Sequence, residues 1–229
     1  MMQICSDHNQ MTPTWLGAFE DRPFHPLHLS PGEHAYFQGD RPKGVYEIVS
    51  GAMMLYKLLP DGRRQVQDFA SQGDYLSLTF AERHALSAEA LADVEIRFLS
   101  RQAFADAFMQ DDRFRRDMFT LVSAKLQASR EQALLLGRKS AKERTASFLL
   151  FLEKRFKEAS SGFVSIPMSR ADIADYLGLT LETVSRMLNA LKKKGIIDLP
   201  HPSKFRVCDY DRLVAAAGDE DVHNIRYAA

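Results

Sequence analysis

The sequence predicts an α+β fold, in which a β-rich N-terminal part is joined through one long helix to a small helical C-terminal domain. Short apolar runs separated by turn residues extend over 25–99, a texture typical of a β-sandwich or barrel. An amphipathic stretch without Pro or Gly follows at 114–136, which predicts a helix. The segment 138–208 contains 14 Lys and Arg against 7 Asp and Glu, so a C-terminal region of net charge +7 follows a remainder of net charge −7.

Length and composition are those of a globular protein with room for two domains. The chain has 229 residues, is 45% hydrophobic and has a formal net charge of +0. No apolar run approaches the about 20 residues of a membrane helix, and the first residues lack a signal-peptide pattern, so we expect a cytoplasmic protein without a membrane partner.

Cys5 and Cys208 cannot form a disulfide framework or a four-thiolate cluster. We expect free thiols, with Cys208 as the candidate for a redox role, and no metal or cofactor.

Turn residues divide the N-terminal region into short strands. Pro31-Gly32, Asp61-Gly62, Gly73-Asp74 and similar turns recur at spacings of about 8–12 residues, the rhythm of a small sandwich or barrel. Asp61-Gly62 lies between two apolar runs and predicts a tight hairpin. We expect residues 1–24 to form a short arm before this region.

One long helix is predicted after the β region. Apolar residues recur from Phe114 to Leu136, which at about 1.5 Å per residue gives a helix of roughly 35 Å, and Gly137 is suited to end it. We expect this helix to pair with its counterpart in a second copy of the chain. Packing within one chain is the alternative, which an interrupted apolar stripe leaves open. The side chains expected at the dimer interface are Met118, Leu121, Val122, Ala128 and Leu135.

The segment 168–207 has the pattern of two short helices joined by a tight turn. Ser169 and Asp172 resemble a capping box at the start of the first helix. Gly178 predicts the turn, and Thr180 is a favourable N-cap for the second helix. The second helix has an apolar side and ends in a basic turn followed by glycine; these residues are Val184, Leu188, Leu191, Lys192, Lys193, Lys194 and Gly195.

The start of the second helix keeps polar side chains on its outer face, at Glu182, Thr183, Ser185 and Arg186. A recognition helix enters the major groove with its N-terminal end first. An Arg side chain can bond guanine O6 and N7 together, and a carboxylate can accept from the amine of cytosine. Glu182 and Arg186 are four residues apart, so they could also hold each other's geometry. A plain surface ion pair is the alternative, but the two-helix frame and the local positive charge favour DNA reading.

A basic hairpin is predicted after the second helix. Ile196-Ile197 begins a strand, Pro200-His201-Pro202-Ser203 turns, and Lys204-Phe205-Arg206-Val207 returns. A β-hairpin with basic residues beside a recognition helix is a wing placed to contact phosphate. We therefore expect Lys204 at the DNA backbone.

The string ADIADYLGLTLETVSRMLNALKKKGII closely resembles the DNA-binding domain of the Crp/Fnr family of transcription regulators. LSPGEHAYFQGDRPKGVYEIVSGAMMLYKLLPDGRRQVQDFASQGDYL is similar to the family's N-terminal jelly-roll sensor domain, and 136–144 is similar to the hinge after its dimer helix. The resemblance covers nearly the whole chain. It implies a cyclic-nucleotide-binding-like jelly roll at 25–110, a dimerisation helix at 111–137, a winged helix-turn-helix at 138–217 and a tail at 218–229.

In the family, the residues matching Glu182, Ser185 and Arg186 contact bases. Glu-x-x-Ser-Arg is similar to the Fnr and FixK branches, which read an inverted repeat with TTGA-like half-sites. The resemblance implies a homodimeric transcription activator, not an enzyme, with double-stranded DNA and RNA polymerase as partners and a role in microaerobic, nitrogen-oxide or related metabolism. The residues expected at phosphate are Ser169, Arg170, Thr180, Thr183 and Lys204.

Two departures from the family point to the FixK-like branch. Members that bind cyclic AMP hold the nucleotide with a Gly-Glu pair and an Arg-Ser or Arg-Thr pair, and the matching positions here are Ser77-Leu78 and His84-Ala85. A leucine cannot replace a carboxylate, and the guanidinium fork is missing, so we expect no cyclic-nucleotide site. Fnr also has an N-terminal cysteine cluster, of which only Cys5 has a counterpart here.

Three alternatives remain open from the sequence. His25, His28, Glu33 and His34 in a β domain suggest a cupin metal enzyme, although the cupin H-x-H pattern is missing. A directly bound haem would need an axial ligand such as His25, His28 or His84. A DNA-binding module without transcriptional output is the third alternative, because contacts with polymerase have no clear motif.

Overall fold

The structure, a computed structural model, describes residues 26–79, 81–158 and 161–218. Within these ranges the chain forms a β domain, two consecutive helices and a helical C-terminal domain with a small sheet. The predictions that lie outside the described residues are those for 1–24, 219–229, Cys5 and His25.

The β domain is built from eight described strands in two antiparallel sheets. The strands are β1 (Pro26–Leu29), β2 (His34–Tyr36), β3 (Gly44–Ser50), β4 (Ala52–Leu58), β5 (Arg64–Ser71), β6 (Tyr75–Leu76), β7 (Ser87–Ala90) and β8 (Val94–Ser100). One sheet has the order β1-β8-β3-β6 and the other the order β2-β7-β4-β5. Ile48, Met53 and Ile96 are fully buried in the core of this domain. The predicted jelly roll is thus confirmed.

The predicted hairpin at Asp61-Gly62 is also confirmed. β4 and β5 pair in antiparallel fashion, with Leu58 opposite Arg64. Gly62 lies between them with a φ of 84°, a left-handed conformation that glycine adopts without a Cβ clash. The hairpin places Arg64 at the start of β5.

Two helices follow the β domain, α1 (Arg101–Gln110) and α2 (Asp112–Arg138). α2 extends beyond the predicted range 114–136, and Gly137 does not end it. Lys139 is the C-cap, in an extended conformation, because Ser140 already caps the next helix. Within the described ranges, no helix is both long enough and apolar enough to span a membrane.

One side of α2 packs on its own chain, and it includes three of the expected dimer residues, of which only Met118 is buried there. Met118 is only 4% exposed and lies beside Tyr75 of the β domain. Leu121 packs against the same cluster, and Leu135 packs against the core of the C-terminal domain. Residues at helical spacing share one face of a helix, and on this face they meet the two domains of their own chain.

The opposite side of α2 leaves apolar side chains uncovered. Phe119 is 77% exposed, and Val122, Leu126 and Leu134 are more than half exposed. Val122 was among the expected dimer residues, and Ala128, also expected there, is exposed as well. The prediction for these two residues therefore stands.

The C-terminal domain packs four helices around a three-stranded sheet. Its elements are α3 (Ala141–Phe156), β9 (Val164–Ser165), α4 (Arg170–Leu177), α5 (Leu181–Lys193), β10 (Ile197–His201), β11 (Lys204–Val207) and α6 (Tyr210–Ala216). Ser140 begins α3 with a capping box to Glu143. Leu149, Leu177 and Phe205 are among its buried core residues.

The β domain and the C-terminal domain share one apolar core. Phe69 of β5 is fully buried, with its ring centroid 5.9 Å from that of Phe148 in α3 and 5.2 Å from that of Tyr176 in α4. At the edge of this contact, Arg155 of α3 forms an ion pair with Asp74 of the β domain. The C-terminal domain is therefore packed against the β domain by apolar and charged groups together.

Candidate nucleic-acid interface

The predicted two-helix frame is confirmed in α4 and α5. Ser169 caps α4 in a reciprocal capping box, in which its hydroxyl accepts from the Asp172 amide and the Asp172 carboxylate accepts from the Ser169 amide at 2.8 Å. Gly178 ends α4 with a φ of 61°, a conformation that costs other residues roughly 1–2 kcal/mol. Thr180 then caps α5 by accepting from the amide of Thr183.

α5 is anchored by its apolar side, which leaves its polar side at the surface. Burial of each large apolar side chain on that side contributes about 1.5–3 kcal/mol to the stability of the fold. Glu182 and Arg186 are exposed in the first turns of α5, and Ser185 is half-buried. The helix therefore presents an acid, a hydroxyl and a guanidinium near its N-terminal end. The anchoring residues are Val184, Leu188 and Leu191.

The charged groups at the start of α5 are not paired with each other. The carboxylate of Glu182 is hydrogen-bonded to its own amide and to the Thr180 side chain, which holds the pKa of Glu182 below its usual value. An acidic group at a helix N-terminus is also favoured by the helix dipole. Arg186 has no ion-pair partner within the described residues. The hypothesis that Glu182 and Arg186 hold each other's geometry is wrong for the free chain, and the guanidinium is available to a ligand.

The residues predicted at phosphate differ in what they contact. Ser169 and Thr180 are exposed at the starts of α4 and α5, and Thr183 is half-buried one turn further on. Arg170 is half-buried, and its guanidinium donates to the carbonyl of Pro202 at 3.0 Å. Arg170 therefore ties the start of α4 to the turn of the wing.

The wing is the hairpin of β10 and β11. The turn is shorter than predicted, because β10 continues through Pro200 to His201, which pairs with Lys204 across the hairpin. Only Pro202-Ser203 remain in the turn. β11 also pairs with β9, so the wing is held against the rest of the C-terminal domain.

Lys204 is bound within its own chain. Its ammonium donates to Glu158 Oε1 at 2.9 Å. This hydrogen bond, with others from Ser161 and Ser165, lowers the pKa of Glu158 to about 2. Phosphate would therefore compete with a carboxylate for Lys204.

Sequence reasoning placed Arg144 only within a hinge, but its contacts are extensive. Its guanidinium donates to the carbonyls of Leu136 at 2.7 Å, Lys139 at 2.9 Å and Leu177 at 2.9 Å. The five donors of a planar guanidinium suit such a bracket. Arg144 thus joins the end of α2 to the end of α4. An isolated arginine in a helical pattern carries no signal for contacts this distant in sequence.

Two of the positions that resemble the nucleotide-binding pairs are occupied by side chains that pack on their own chain. Ser77 has a φ of 64°, in the left-handed region that glycine, the family residue there, adopts readily. Leu78 packs against the cluster around Tyr75. His84 is 5% exposed, and its ring stacks on Tyr36 with centroids 3.8 Å apart. Leu78 and His84 offer neither a carboxylate nor a guanidinium fork to a nucleotide.

The described histidines that suggest a metal site from the sequence are not close together in the structure. His34 Nε2 is 2.9 Å from the hydroxyl of Tyr56, whereas His28 is on β1, in the other sheet. In the part of the chain that the structure describes, no three His, Cys, Asp or Glu side chains are grouped so that they could hold a metal. Cys208 is an exposed free thiol just after β11, and its redox role stays a prediction.

The two domains match two family models. Residues 26–111 match the cyclic nucleotide-binding domain, and residues 143–216 match the Crp-like helix-turn-helix domain. The fold, the exposed polar end of α5 and the two matched domains together define the class of this protein. It is a DNA-binding transcription regulator with an N-terminal domain of the cyclic-nucleotide-binding type.

Similar proteins identify the family. The nitrogen fixation regulation protein FixK of Bradyrhizobium diazoefficiens is 38% identical over an alignment of 203 residues, and the match covers 86% of this chain and 86% of that protein. FixK of Azorhizobium caulinodans is 41% identical and the match covers 75% of this chain and 70% of that protein. The solved structure of FixK2 from Bradyrhizobium japonicum has a TM-score of 0.80 at 37% identity and covers 85% of this chain and 97% of its own. The chain belongs to the Crp/Fnr family, whose members are transcription regulators and not enzymes, and it is similar to the FixK proteins.

Proposed function

We propose that the chain binds double-stranded DNA as a homodimer, at an inverted repeat with TTGA-like half-sites, and thereby activates transcription. The observation that carries the proposal is the polar N-terminal end of α5, where Glu182, Ser185 and Arg186 reach the surface beside an exposed capping residue of each helix. A partner of this kind implies a cytoplasmic location.

The three side chains have chemistry that suits base edges in the major groove. Arg186 is exposed and without an ion-pair partner in the described part of the chain, so it can donate two hydrogen bonds to a guanine. Glu182 stays ionised, because its pKa is lowered, and can accept from a cytosine amine. The Ser185 hydroxyl can donate or accept. Each well-formed bidentate pair contributes about 1–3 kcal/mol of discrimination.

Phosphate contacts would fix the position of this helix on the duplex. Ser169 and Thr180 are exposed for such a role, and Thr183 lies on the same end of α5. Arg170 and Lys204 are bonded within the chain; in the proposed complex they keep the wing in place and share their donors with phosphate.

Replacing Arg186 tests this proposal. Arg186→Ala should lower the affinity for the selected site by about 1–3 kcal/mol and relax selection at one guanine per half-site. The matched control is Lys193→Ala, an exposed cation in the last turn of the same helix, which should leave base selection unchanged. Binding to site variants is measured by fluorescence anisotropy at one fixed salt concentration. Equal weakening on every sequence would contradict base reading by Arg186.

The proposed dimer would use the outer side of α2, which carries Phe119, Val122, Leu126 and Leu134. A row of exposed apolar side chains along a helix is typical of a protein interface, and pairing about a two-fold axis makes the same patch contact itself. Two recognition helices about 34 Å apart would then meet successive major grooves.

The dimer proposal has a matched pair of variants. Leu126→Asp puts a charge on the exposed apolar row and should raise the dimer dissociation constant about tenfold or more, which is at least about 1.4 kcal/mol. Ala124→Asp places the same charge at an exposed position on another side of α2 and should leave dimerisation nearly unchanged. Sedimentation equilibrium measures both. Dimers of equal strength in the two variants would contradict this interface.

The names of the relatives suggest the biological setting. Because FixK proteins are nitrogen fixation regulators, we propose that the chain acts with RNA polymerase in microaerobic, nitrogen-oxide or related metabolism. We propose no cofactor, since Leu78 and His84 offer neither a carboxylate nor a guanidinium to a nucleotide.

A further inference from the structure

We propose that Arg64, a residue of the β domain, is a positioning residue that sets the orientation of the helix-turn-helix for DNA binding without contacting DNA. The proposal rests on the proposed function, because orientation matters only if two DNA-binding domains must fit one symmetric site. Arg64 lies at the start of β5, in the hairpin that faces α4.

The guanidinium of Arg64 bridges two carboxylates of α4. Its Nε donates to Asp175 Oδ2 at 2.9 Å, and its Nη2 donates to Asp172 Oδ1. The second oxygen of Asp172 accepts from the amide of Ser169 at 2.8 Å and from its hydroxyl at 2.7 Å. The buried carboxylate of Asp172 therefore binds Arg64 of the β domain through one oxygen and Ser169, the N-cap of α4, through the other.

Neighbouring groups of the same hairpin strengthen this contact. The Arg64 guanidinium lies over the ring of Tyr56, 5.7 Å from its centroid, and the hydroxyl of Tyr56 is 2.9 Å from His34 Nε2. Gln65 donates to the carbonyl of Asp175 at 2.8 Å. Arg64 is thus held from the β-domain side as well as from α4, so it can transmit a fixed orientation.

The apolar connection of the C-terminal domain is less directional. The apolar contact of Phe69 with Phe148 and Tyr176 gains from burial, which does not depend on direction. A guanidinium that bonds carboxylates through two nitrogens fixes both distance and angle. Since α2 and α3 are separated only by Lys139 and Ser140, rotation at this junction would move α5, and the Arg64 bridge opposes that rotation.

The adjacent residue provides a matched control. Arg63 is exposed, and its only ion pair with another described residue is with Asp61 of its own turn, so Arg63→Ala removes the same charge one residue away without touching α4. The test compares two duplexes for each protein: the symmetric site, and the same duplex with one half-site scrambled. The symmetric site needs both domains in register, whereas the half-site needs only one.

We expect Arg64→Ala to lower affinity for the symmetric site about tenfold or more and to change half-site affinity less than about twofold, because a linked second contact multiplies affinity only where the geometry allows both. Arg63→Ala should match wild type on both duplexes. If the wild-type chain prefers the symmetric site but Arg64→Ala and Arg63→Ala bind that site with equal affinity, the role of Arg64 is contradicted and the proposed function is not. A wild-type chain with no preference for the symmetric site would contradict the proposed function as well.

A second variant separates orientation from direct DNA contact and from misfolding. Asp175 is at the bridge but not in the capping box, so Asp175→Ala cuts half of the bridge and leaves the N-cap of α4 intact. We expect Asp175→Ala to weaken symmetric-site binding, and the double variant with Arg64→Ala to be less than additive. Strictly additive effects would show that Arg64 does not act through Asp175, and tighter binding after removal of this carboxylate would indicate that Arg64 contacts DNA directly; either result would overturn the inference.

Discussion

The β domain and the helix-turn-helix differ in whether the side chains at their candidate binding positions pack on the chain itself or reach the surface. In the β domain, the positions that resemble a ligand site carry Leu78, which packs against the cluster around Tyr75 and α2, and His84, which is buried. At the start of α5, Glu182 and Arg186 are at the surface while the apolar side of the helix is buried. The comparison supports the proposals that contact with DNA is concentrated in the C-terminal domain and that the β domain orients this domain.

This contrast predicts that interior substitutions in the β domain change stability, whereas substitutions on the outer face of α5 change DNA binding. The largest effect is expected for Phe69→Ala, which should lower the free energy of unfolding by about 3–5 kcal/mol, because Phe69 is fully buried where the two domains meet. Urea denaturation followed by circular dichroism measures it. Arg186→Ala is the control and should stay within about 0.5 kcal/mol of wild type. If both variants lost a similar amount of free energy of unfolding, the contrast between the interior of the β domain and the outer face of α5 would be contradicted.

A smaller effect of opposite sign is expected for Ser77→Gly. Ser77 has a left-handed φ of 64°, and its hydroxyl is buried without a hydrogen-bond partner among the described residues. Glycine relieves the backbone strain and removes the hydroxyl, so unfolding should require about 1 kcal/mol more. Ser77→Ala removes the hydroxyl but keeps the strain and should stabilise less. A destabilised Ser77→Gly protein would show that strain at this position is not limiting.

The smallest effect concerns pH. Burial lowers the pKa of His84, and the charge of Asp40 opposes this shift in part. The folded chain therefore binds the proton less readily than the unfolded chain, in which histidine has a pKa of about 6.5. The neutral ring therefore contributes stability above about pH 6.5 that is lost as the pH falls below this value toward the folded pKa. Urea denaturation between pH 7.5 and pH 5.5 should show that loss. His84→Phe keeps an aromatic stack on Tyr36 and should reduce the pH dependence; an unchanged dependence would contradict the assignment.

The sequence predicts the helix-turn-helix well because its determinants are local. The capping box at Ser169, the turn at Gly178 and the apolar spacing of α5 each depend on residues within a few positions of one another, and local propensity and tertiary packing agree there. The hairpin at Asp61-Gly62 is predictable for the same reason. The resemblance to a known family added the domain order and supported the base-contacting positions that the helix pattern predicts.

The contacts that the sequence does not predict are between elements far apart in the chain. The sequence predicts Met118 at a dimer interface, whereas in the structure it packs beside Tyr75 of its own chain, because periodicity shows which side chains share a helix face but not what covers that face. The bridge from Arg64 to α4 and the pairing of Lys204 with Glu158 join residues that are distant in sequence. No spacing rule connects such residues, and only the packed fold brings their charges together.

Selection of bound duplexes from random DNA by the purified wild-type chain tests the central claim most directly. The account predicts an enriched motif with two-fold symmetry, half-sites about one helical turn apart, and a guanine in each half that loses enrichment when the same selection is run with Arg186→Ala. A wild-type pool without an enriched symmetric motif would contradict the account.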